Sequence, residues 1–287
     1  MQTFNSVQIQ YLRKADLFGV IATSGFENRT VKTARLVNEA FERVHTMLPG
    51  DIDAEIYCHD FYDGNDRVLA YCKKDSDENI ILVPDFIFIN WRETGLYNYD
   101  ETVIDIASAG QAEPIYDKLF WIGALSHPTR KTLMKISKND SRIEAISMDW
   151  KRKLGQEVTV NDATTYVSLK DHTKYRYLID IQGNGYSGRV KMLLFSGRPL
   201  FLVDRPLKEW YYDGLKAYEH YIPVKEDLSD LESQLDWAES HEKETKMIAL
   251  NAQKFAIENL MHENAVQRMA KVLLKLSYES VGQEIEI

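Results

Sequence analysis

The chain has 287 residues, 44% hydrophobic and 28% charged, with 44 Asp and Glu against 35 Lys and Arg for a formal net charge of −9. That length accommodates two α/β domains of ordinary size, or one large one, in a globular protein, and the acidic balance argues against broad nucleic-acid binding, which relies on clustered Lys and Arg. Two cysteines, Cys58 and Cys72, are too few for a secreted disulfide framework or a four-cysteine zinc site, no apolar run reaches the roughly 18 residues of a membrane span, and the opening MQTFNSVQIQYLRKADLF lacks the apolar core of a signal peptide, so a cytoplasmic protein is expected.

From Arg29 to Leu48, the residues Val31, Ala34, Val37, Ala40, Phe41 and Val44 recur on one face before Pro49-Gly50, which predicts a helix. Short β-like runs follow at Ala54 to Cys58, Val68 to Cys72, Ile80 to Val83 and Phe86 to Asn90, with the polar Lys73 to Asn79 break as a hairpin or exposed loop. Further strands are predicted at Leu119 to Ala124, Ile143 to Met148, Tyr175 to Ile181, Pro199 to Val203 and His220 to Val224, with helices from about Pro128 to Lys138 and Thr164 to His172. Alternation of this kind predicts a mostly parallel sheet with helices on its faces. Gln111 to Pro114 is the expected linker, which divides the chain into 1–112, 113–260 and a tail, 261–287, that packs back on the body. Ahead of the C-terminal helices Ser229 and Glu232 have capping-box spacing. Ile248, Ala252, Phe255, Ala256, Leu260, Met269, Val272, Leu273 and Leu276 then recur at helical spacing, as in helices packed on a sheet.

The stretch most suggestive of chemistry is Lys174 to Lys191, KYRYLIDIQGNGYSGRVK, an apolar strand entering a Gly-containing turn and leaving as a predicted amphipathic helix. Gly183, Asn184 and Gly185 would let the backbone approach a ligand, and free N–H groups at a helix start favour an anion. Arg189 and Lys191 would add positive charge where a diphosphate would lie. The pattern is neither a Walker A loop nor the GxGxxG dinucleotide fingerprint, and an ordinary βα turn would look the same.

The following residues carry a resemblance. Tyr175, Tyr177 and Leu178, then Gly183 through Arg189, then Lys208-Glu-Trp-Tyr-Tyr, then His220-Tyr-Ile-Pro-Val-Lys with Asp227-Leu-Ser resemble the CAP10 family of glycosyltransferases, also called family 90. The family includes protein O-glucosyltransferases, fungal capsule xylosyltransferases and bacterial lipopolysaccharide-modifying proteins. The resemblance implies a GT-B-like α/β fold, two Rossmann-like domains facing a cleft with C-terminal helices. The N-terminal half would supply the acceptor side and the base, and the C-terminal half would bind the nucleotide-sugar donor.

It also implies site residues. The Val83-Pro-Asp-Phe run leads into Asn90, Arg92 and Glu93, which match an Asn-x-Arg-Asp motif whose final acid is the catalytic base. Here the base position is Glu93, whose extra methylene moves the carboxylate by roughly one bond length, with Asp85 and Asp100 as fallback carboxylates. Phe120 to Arg130 resembles a donor-binding segment in which Gly123, Ser126 and Arg130 keep their places, while Ile122 stands where many relatives have arginine. With Tyr186 and Ser187, these complete the expected donor set. Asn90, Arg92, Glu209 and Trp210 are candidate sugar or nucleoside contacts, and Trp91, Tyr97, Tyr99 and Trp210 could stack on a sugar face or fill a core. His127 and His172 read as ordinary histidines, and Asp51-Ile-Asp53 lies too far from the matching segments to serve as a metal site.

The implied reaction is metal-independent, inverting transfer of a hexose or pentose from a UDP-sugar, UDP-glucose or UDP-xylose first, to a hydroxyl. In a bacterial cytoplasmic enzyme the acceptor would be lipopolysaccharide, another surface glycan or a lipid-linked saccharide, with peripheral contact at the inner membrane face. No nucleic-acid partner and no cofactor are expected. The alternatives are a nucleotide-sugar-binding regulatory protein without turnover, suggested by Glu93 and Ile122, and a different phosphoryl-transfer enzyme, disfavoured by the missing Walker lysine.

Overall fold

A computed structural model describes residues 5–23, 28–148 and 165–285. In chain order its regular elements are β1 (Ser6–Leu12), β2 (Leu17–Ala22), α1 (Arg29–Val44), β3 (Ile52–Tyr57), β4 (Val68–Ala70), β5 (Cys72–Lys73), β6 (Ile80–Leu82), α2 (Tyr99–Ala109), β7 (Tyr116–Gly123), α3 (Pro128–Ile136), β8 (Ile143–Ser147), β9 (Tyr175–Asp180), α4 (Val190–Leu193), β10 (Leu200–Val203), β11 (Lys208–Glu209), β12 (Ile222–Val224), α5 (Leu231–Ser240), α6 (Glu242–Asn259) and α7 (His262–Glu279). The α/β class with C-terminal helices is therefore as expected. The chain forms two compact units, Met1–Trp91 with Pro206–Trp210 and Met261–Ile287, and Arg92–Arg205 with Tyr211–Leu260. The division falls at Trp91, whereas Gln111 to Pro114 lies inside the second unit between α2 and β7.

The first unit holds a five-stranded sheet in the order β2-β1-β3-β4-β6, antiparallel around β1 and parallel from β3 to β6. Strict alternation in SVQIQYL buries Val7, Ile9 and Tyr11 and exposes Gln8 and Gln10, the signature of a strand covered on one face. This N-terminal hairpin was not among the predicted elements. Its corner is a 3-10 turn, Arg13–Ala15, closed by Asp16 in the left-handed region at φ 47°. Helix α1 buries Leu36, Val37, Ala40 and Val44 and packs against α7, which buries Val266, Met269, Val272 and Leu273. Fully burying each of the Leu, Val and Met side chains among these contributes about 1.5–3 kcal/mol. Gly50 is required where the two segments meet: a Cβ there would stand 2.8 Å from the Ser277 carbonyl oxygen, and the Ser277 hydroxyl donates to the Gly50 carbonyl at 2.7 Å. Cys58 and Cys72 are both buried and not joined in a disulfide, and burial pushes the Cys58 pKa up to about 11.

The second unit is a five-stranded sheet, β12-β10-β9-β7-β8, in which every pairing is parallel. Both faces are covered, so its strands read as continuous apolar runs such as Leu200-Phe-Leu-Val, all four residues buried. Leu119, Trp121, Tyr177, Ile179, Phe201 and Val203 form its core with Leu133 of α3, Leu235 of α5 and Ile248 of α6.

Four predicted elements differ in the structure. Phe86 to Asn90 is no strand: the Asp85 carboxylate accepts the Ile87 N–H at 3.2 Å and starts a 3-10 turn, Phe86–Phe88, whose side chains are all buried. Thr164, the start of the predicted Thr164 to His172 helix, lies outside the described residues, and only a 3-10 turn, Asp171–Lys174, follows. There the Ser168 hydroxyl accepts the Asp171 N–H at 3.1 Å, competing with helical pairing. The helix expected after Gly185 is a single buried turn, α4, followed by 3-10 residues and stopped by Gly197 at φ 63°. Helix α5 starts at Leu231 after Asp230, without the Ser229–Glu232 capping box.

Candidate functional site

Strand order in the second unit reverses at β7. The chain runs from β7 outward to β8, then returns across β7 to β9, β10 and β12, the doubly wound order whose ligands lie beyond the carboxyl ends of the two strands flanking the reversal. Those ends are Gly123 of β7 and Asp180 of β9. The two donor-type motifs therefore meet at one edge of the sheet although nearly sixty residues of sequence part them.

Arg130 joins the two motifs. Its Nη1 donates to the Ala124 carbonyl at 2.9 Å and to Ser126 Oγ at 3.3 Å, and its Nη2 donates to the Ile181 carbonyl at 2.9 Å. Gly183 lies beside this group, where an added Cβ would meet Arg130 Nη2 at 3.5 Å and Ser126 Oγ at 3.9 Å. Gly123 is needed for a different reason: a Cβ there would come within 2.9 Å of the Trp121 ring. That ring also lies against both arginines, 5.5 Å from the Arg130 guanidinium and 5.9 Å from that of Arg189.

Asp180 organises the other side. It is fully buried, accepts the Ser187 hydroxyl at 2.8 Å and Arg205 Nη1 at 2.7 Å, and stands 3.5 Å from Arg189 Nη2. Arg189 also donates to the Ile122 carbonyl, so the residue standing where relatives carry arginine contributes its main chain while its side chain is core. Three guanidinium groups thus gather around one carboxylate. Among the described residues Arg130 has only neutral oxygens as hydrogen-bond partners, and burial together with the charge of Arg189 lowers its pKa to about 10. Burial likewise lowers that of Arg189. A buried cation short of counter-charge is stabilised by an incoming anion.

Some expectations about the cradle change. With α4 only one turn long, it offers no helix dipole to an anion, and the Val190 N–H is engaged by the Ser187 carbonyl at 3.4 Å. Lys191 is wholly buried, with its ammonium on the Gly188 carbonyl at 3.2 Å. At the start of α3, His127 Nδ1 accepts the Thr129 N–H at 3.3 Å, and burial beside Arg130 lowers the His127 pKa. In the turn itself Asn184 is exposed, Gly185 is buried and Tyr186 is half-buried.

The remaining candidates lie on other segments. Arg92 is exposed and Glu93 is 5% exposed in a 3-10 turn, Arg92–Thr94, that leads towards α2 in the second unit. Asp85, Asn90, Trp91, Glu209 and Trp210 belong to the first unit, where Asp85 is a turn cap and Glu209 is buried opposite Cys72 in the β5–β11 pair. Asp100 is half-buried in the first turn of α2. Tyr97 is exposed, but Tyr99 is core, its hydroxyl donating to the Leu260 carbonyl at 2.8 Å. His172 is buried, with its Nδ1 N–H on the Ser168 carbonyl at 2.7 Å, and burial lowers its pKa to about 4. Asp51 accepts the Arg13 N–H at 2.7 Å beside the N-terminal hairpin. Among the described residues, no three His, Cys, Asp or Glu side chains converge as a metal site.

Asp180 and Arg205 were not singled out in the sequence. Their signal was available: a carboxylate closing an apolar strand, Tyr177-Leu-Ile-Asp, and an arginine just past another, Phe201-Leu-Val-Asp-Arg.

The chain is 29% identical over 203 residues to protein O-glucosyltransferase 2 of Danio rerio, covering 69% of this chain and 40% of that protein. It is 30% identical over 178 residues to protein O-glucosyltransferase 1 of Rattus norvegicus, covering 60% and 45%. The matched segments thus amount to less than half of each relative's length. A crystal structure of Anabaena HepE in complex with UDP and glucose aligns distantly, with a TM-score of 0.43 and 12% identity over 69% of this chain and 57% of that one. The family model of glycosyl transferase family 90 matches residues 26–279, most of the sequence, and the chain belongs to that family.

Proposed function

We propose that the chain is a glycosyltransferase that binds a nucleoside-diphosphate sugar at the switch point of its second unit. The observation that carries this reading is the charge imbalance there among the described residues, with Arg130, Arg189 and Arg205 around the carboxylate of Asp180. A diphosphate supplies the missing negative charge. Arg130 would face the phosphates directly, while Asp180 fixes Arg205, Ser187 and Arg189 from behind. The relatives named O-glucosyltransferases favour glucose as the transferred sugar, so UDP-glucose is the first donor proposed and UDP-xylose the second.

In the proposed reaction Glu93 takes the proton of an acceptor hydroxyl. The hydroxyl oxygen forms a bond to the anomeric carbon from the face opposite the diphosphate, the bond from that carbon to the diphosphate oxygen breaks, and the anomeric configuration inverts. Charge accumulating on the leaving diphosphate is stabilised by the arginines. No metal takes part in this scheme. The acceptor would be a lipopolysaccharide, another surface glycan or a lipid-linked saccharide, reached in a cytoplasmic protein by peripheral membrane contact. No helix among the described residues is long and apolar enough to cross a membrane.

The deciding experiment is calorimetry against UDP, GDP, CMP and their sugar conjugates, with and without EDTA. Saturable binding of UDP or a UDP-sugar that survives EDTA supports the reading, and no binding to any nucleotide removes it. A second reading, nucleotide-sugar binding without turnover, is favoured by Glu93 and Ile122 standing where relatives carry aspartate and arginine. Donor binding with no UDP release in the presence of any glycan acceptor would favour it.

A further inference from the structure

We infer that the chain forms a two-fold dimer by pairing β2 with β2 of a second copy, extending the sheet of the first unit across both molecules. Among the described residues nothing pairs with the outer side of β2, which is the edge of the sheet. Edges are ordinarily protected by lysine, proline, a bulge or shortness. This one is six residues long, pairs regularly with β1 along its whole length, and contains no charged residue and no proline.

The occupant follows from the sequence of the strand. Leu17-Phe-Gly-Val-Ile is apolar throughout, with an apolar side chain at each pair of positions equidistant from Gly19. Its alternate side chains divide cleanly: Leu17 and Ile21 are 60% and 59% exposed on one face, while Phe18 and Val20 are half-buried on the other, Phe18 stacking on Phe41 of α1 at 3.6 Å. An antiparallel copy centred on Gly19 sets Leu17 beside the partner's Ile21 and Phe18 beside the partner's Val20, so both faces match apolar with apolar. The uncharged Ala22 then falls beside the partner's Asp16, and no like charges meet.

The hydrogen-bond register agrees. The Thr23 N–H donates to the Ser6 carbonyl at 3.1 Å, so in the alternating pattern of an antiparallel pair Ile21, Gly19 and Leu17 direct their N–H and C=O groups to β1. Phe18, Val20 and Ala22 direct theirs outward. Under the proposed pairing Phe18 and the partner's Val20 exchange both bonds, and the two Gly19 residues oppose each other in a non-hydrogen-bonded pair. Nothing lies within 4 Å of a Cβ placed on Gly19, so the two-fold position is open.

Sedimentation equilibrium of the full chain and three variants tests this. The parent is expected to approach twice its monomer mass with rising concentration. Leu17→Lys with Ile21→Lys sets like charges across the two-fold at exposed positions and should hold the chain monomeric, whereas Leu17→Glu with Ile21→Lys sets opposite charges there and should restore the dimer. Gly19→Cys should close a disulfide between copies on mild oxidation, because opposed residues of a non-hydrogen-bonded pair lie within disulfide reach, while Gln8→Cys on β1 should not. A parent that stays monomeric throughout overturns the proposal and leaves the edge to a strand of another protein. A dimer indifferent to the paired lysines overturns it as well. If the lysine variant fails to fold, the Gly19→Cys crosslink decides.

Discussion

Arg205 holds Asp180 by both its side chain and its main chain, Nη1 donating to Oδ2 at 2.7 Å and Nη2 to the carbonyl oxygen at 2.8 Å. The pair closes β9 from the end of β10 and is almost completely shielded from water, with side-chain exposures of 2% and 0%. Breaking such a pair by removing one charge is costlier than the pair itself is stabilising, because the survivor remains buried. Asp180→Asn keeps the shape and removes the charge that Arg189 and Arg205 face among the described residues. Urea denaturation should show a loss of roughly 3–5 kcal/mol. A loss within experimental error would mean that solvent or another acid compensates the arginines.

Removing Arg130 has a different expected signature. Its head bonds three neutral oxygens, so Arg130→Ala deletes a destabilised buried cation together with three modest hydrogen bonds. Stability should change little, whereas UDP affinity should fall about tenfold to a hundredfold, the equivalent of one charge-assisted contact of roughly 1.5–3 kcal/mol. Arg189→Ala should also weaken UDP binding. Unchanged calorimetric affinity in both variants would move the diphosphate away from this edge of the sheet.

Glu93→Gln separates binding from turnover. The side chain is nearly the same size in a buried turn, and no contact joins it to the diphosphate in the proposed scheme, so UDP affinity should match the parent. Transfer, followed as UDP release with a UDP-sugar and an acceptor, should fall by about 100-fold or more, the usual contribution of a positioned base. Equal rates in Glu93→Gln and the parent would remove Glu93 from that role, and a parent that binds donor but releases no UDP would favour the binding-only reading.

The elements legible in the sequence were those set by local pattern. The parallel strands around Trp121, Ile179 and Phe201 are continuous apolar runs and α1 carries clear helical spacing, so these were anticipated within a few residues, while the spacing from Ile248 to Leu276 marked the region of α6 and α7 as helical without fixing their bounds. The N-terminal hairpin was missed although the alternation in Ser6–Leu12 was legible; the other misses came where a polar side chain or a tertiary contact overrides pattern. Asp85 turns an apolar run into a 3-10 turn, Ser168 diverts a predicted helix, and Gly197 ends another after α4. At the candidate site the two glycine-bearing motifs were readable separately. What joins them, Arg130 reaching the Ile181 carbonyl and Asp180 collecting Arg189 and Arg205, depends on the order of strands in the sheet, which residue spacing does not encode.

The buried His172 predicts a pH dependence of stability. Its Nδ1 N–H is used by the Ser168 carbonyl, its buried Nε2 has no hydrogen-bond partner among the described residues, and burial lowers its pKa from 6.5 to about 4. Between those values the unfolded chain binds a proton that the folded chain refuses, so the contribution of His172 to stability falls as pH drops from about 6.5 to about 4 and is level outside that window. A displacement of that size corresponds to about 3 kcal/mol at its limit. His172→Asn can keep a donor near the Ser168 carbonyl and cannot titrate. Urea unfolding at pH 7 and at pH 4.5 should therefore show the parent losing more stability than the variant over this interval, with the excess on the scale of a few kcal/mol. Parallel losses in the two proteins would show that the ring reaches water when protonated and that carboxylates alone set the acid limit of the fold.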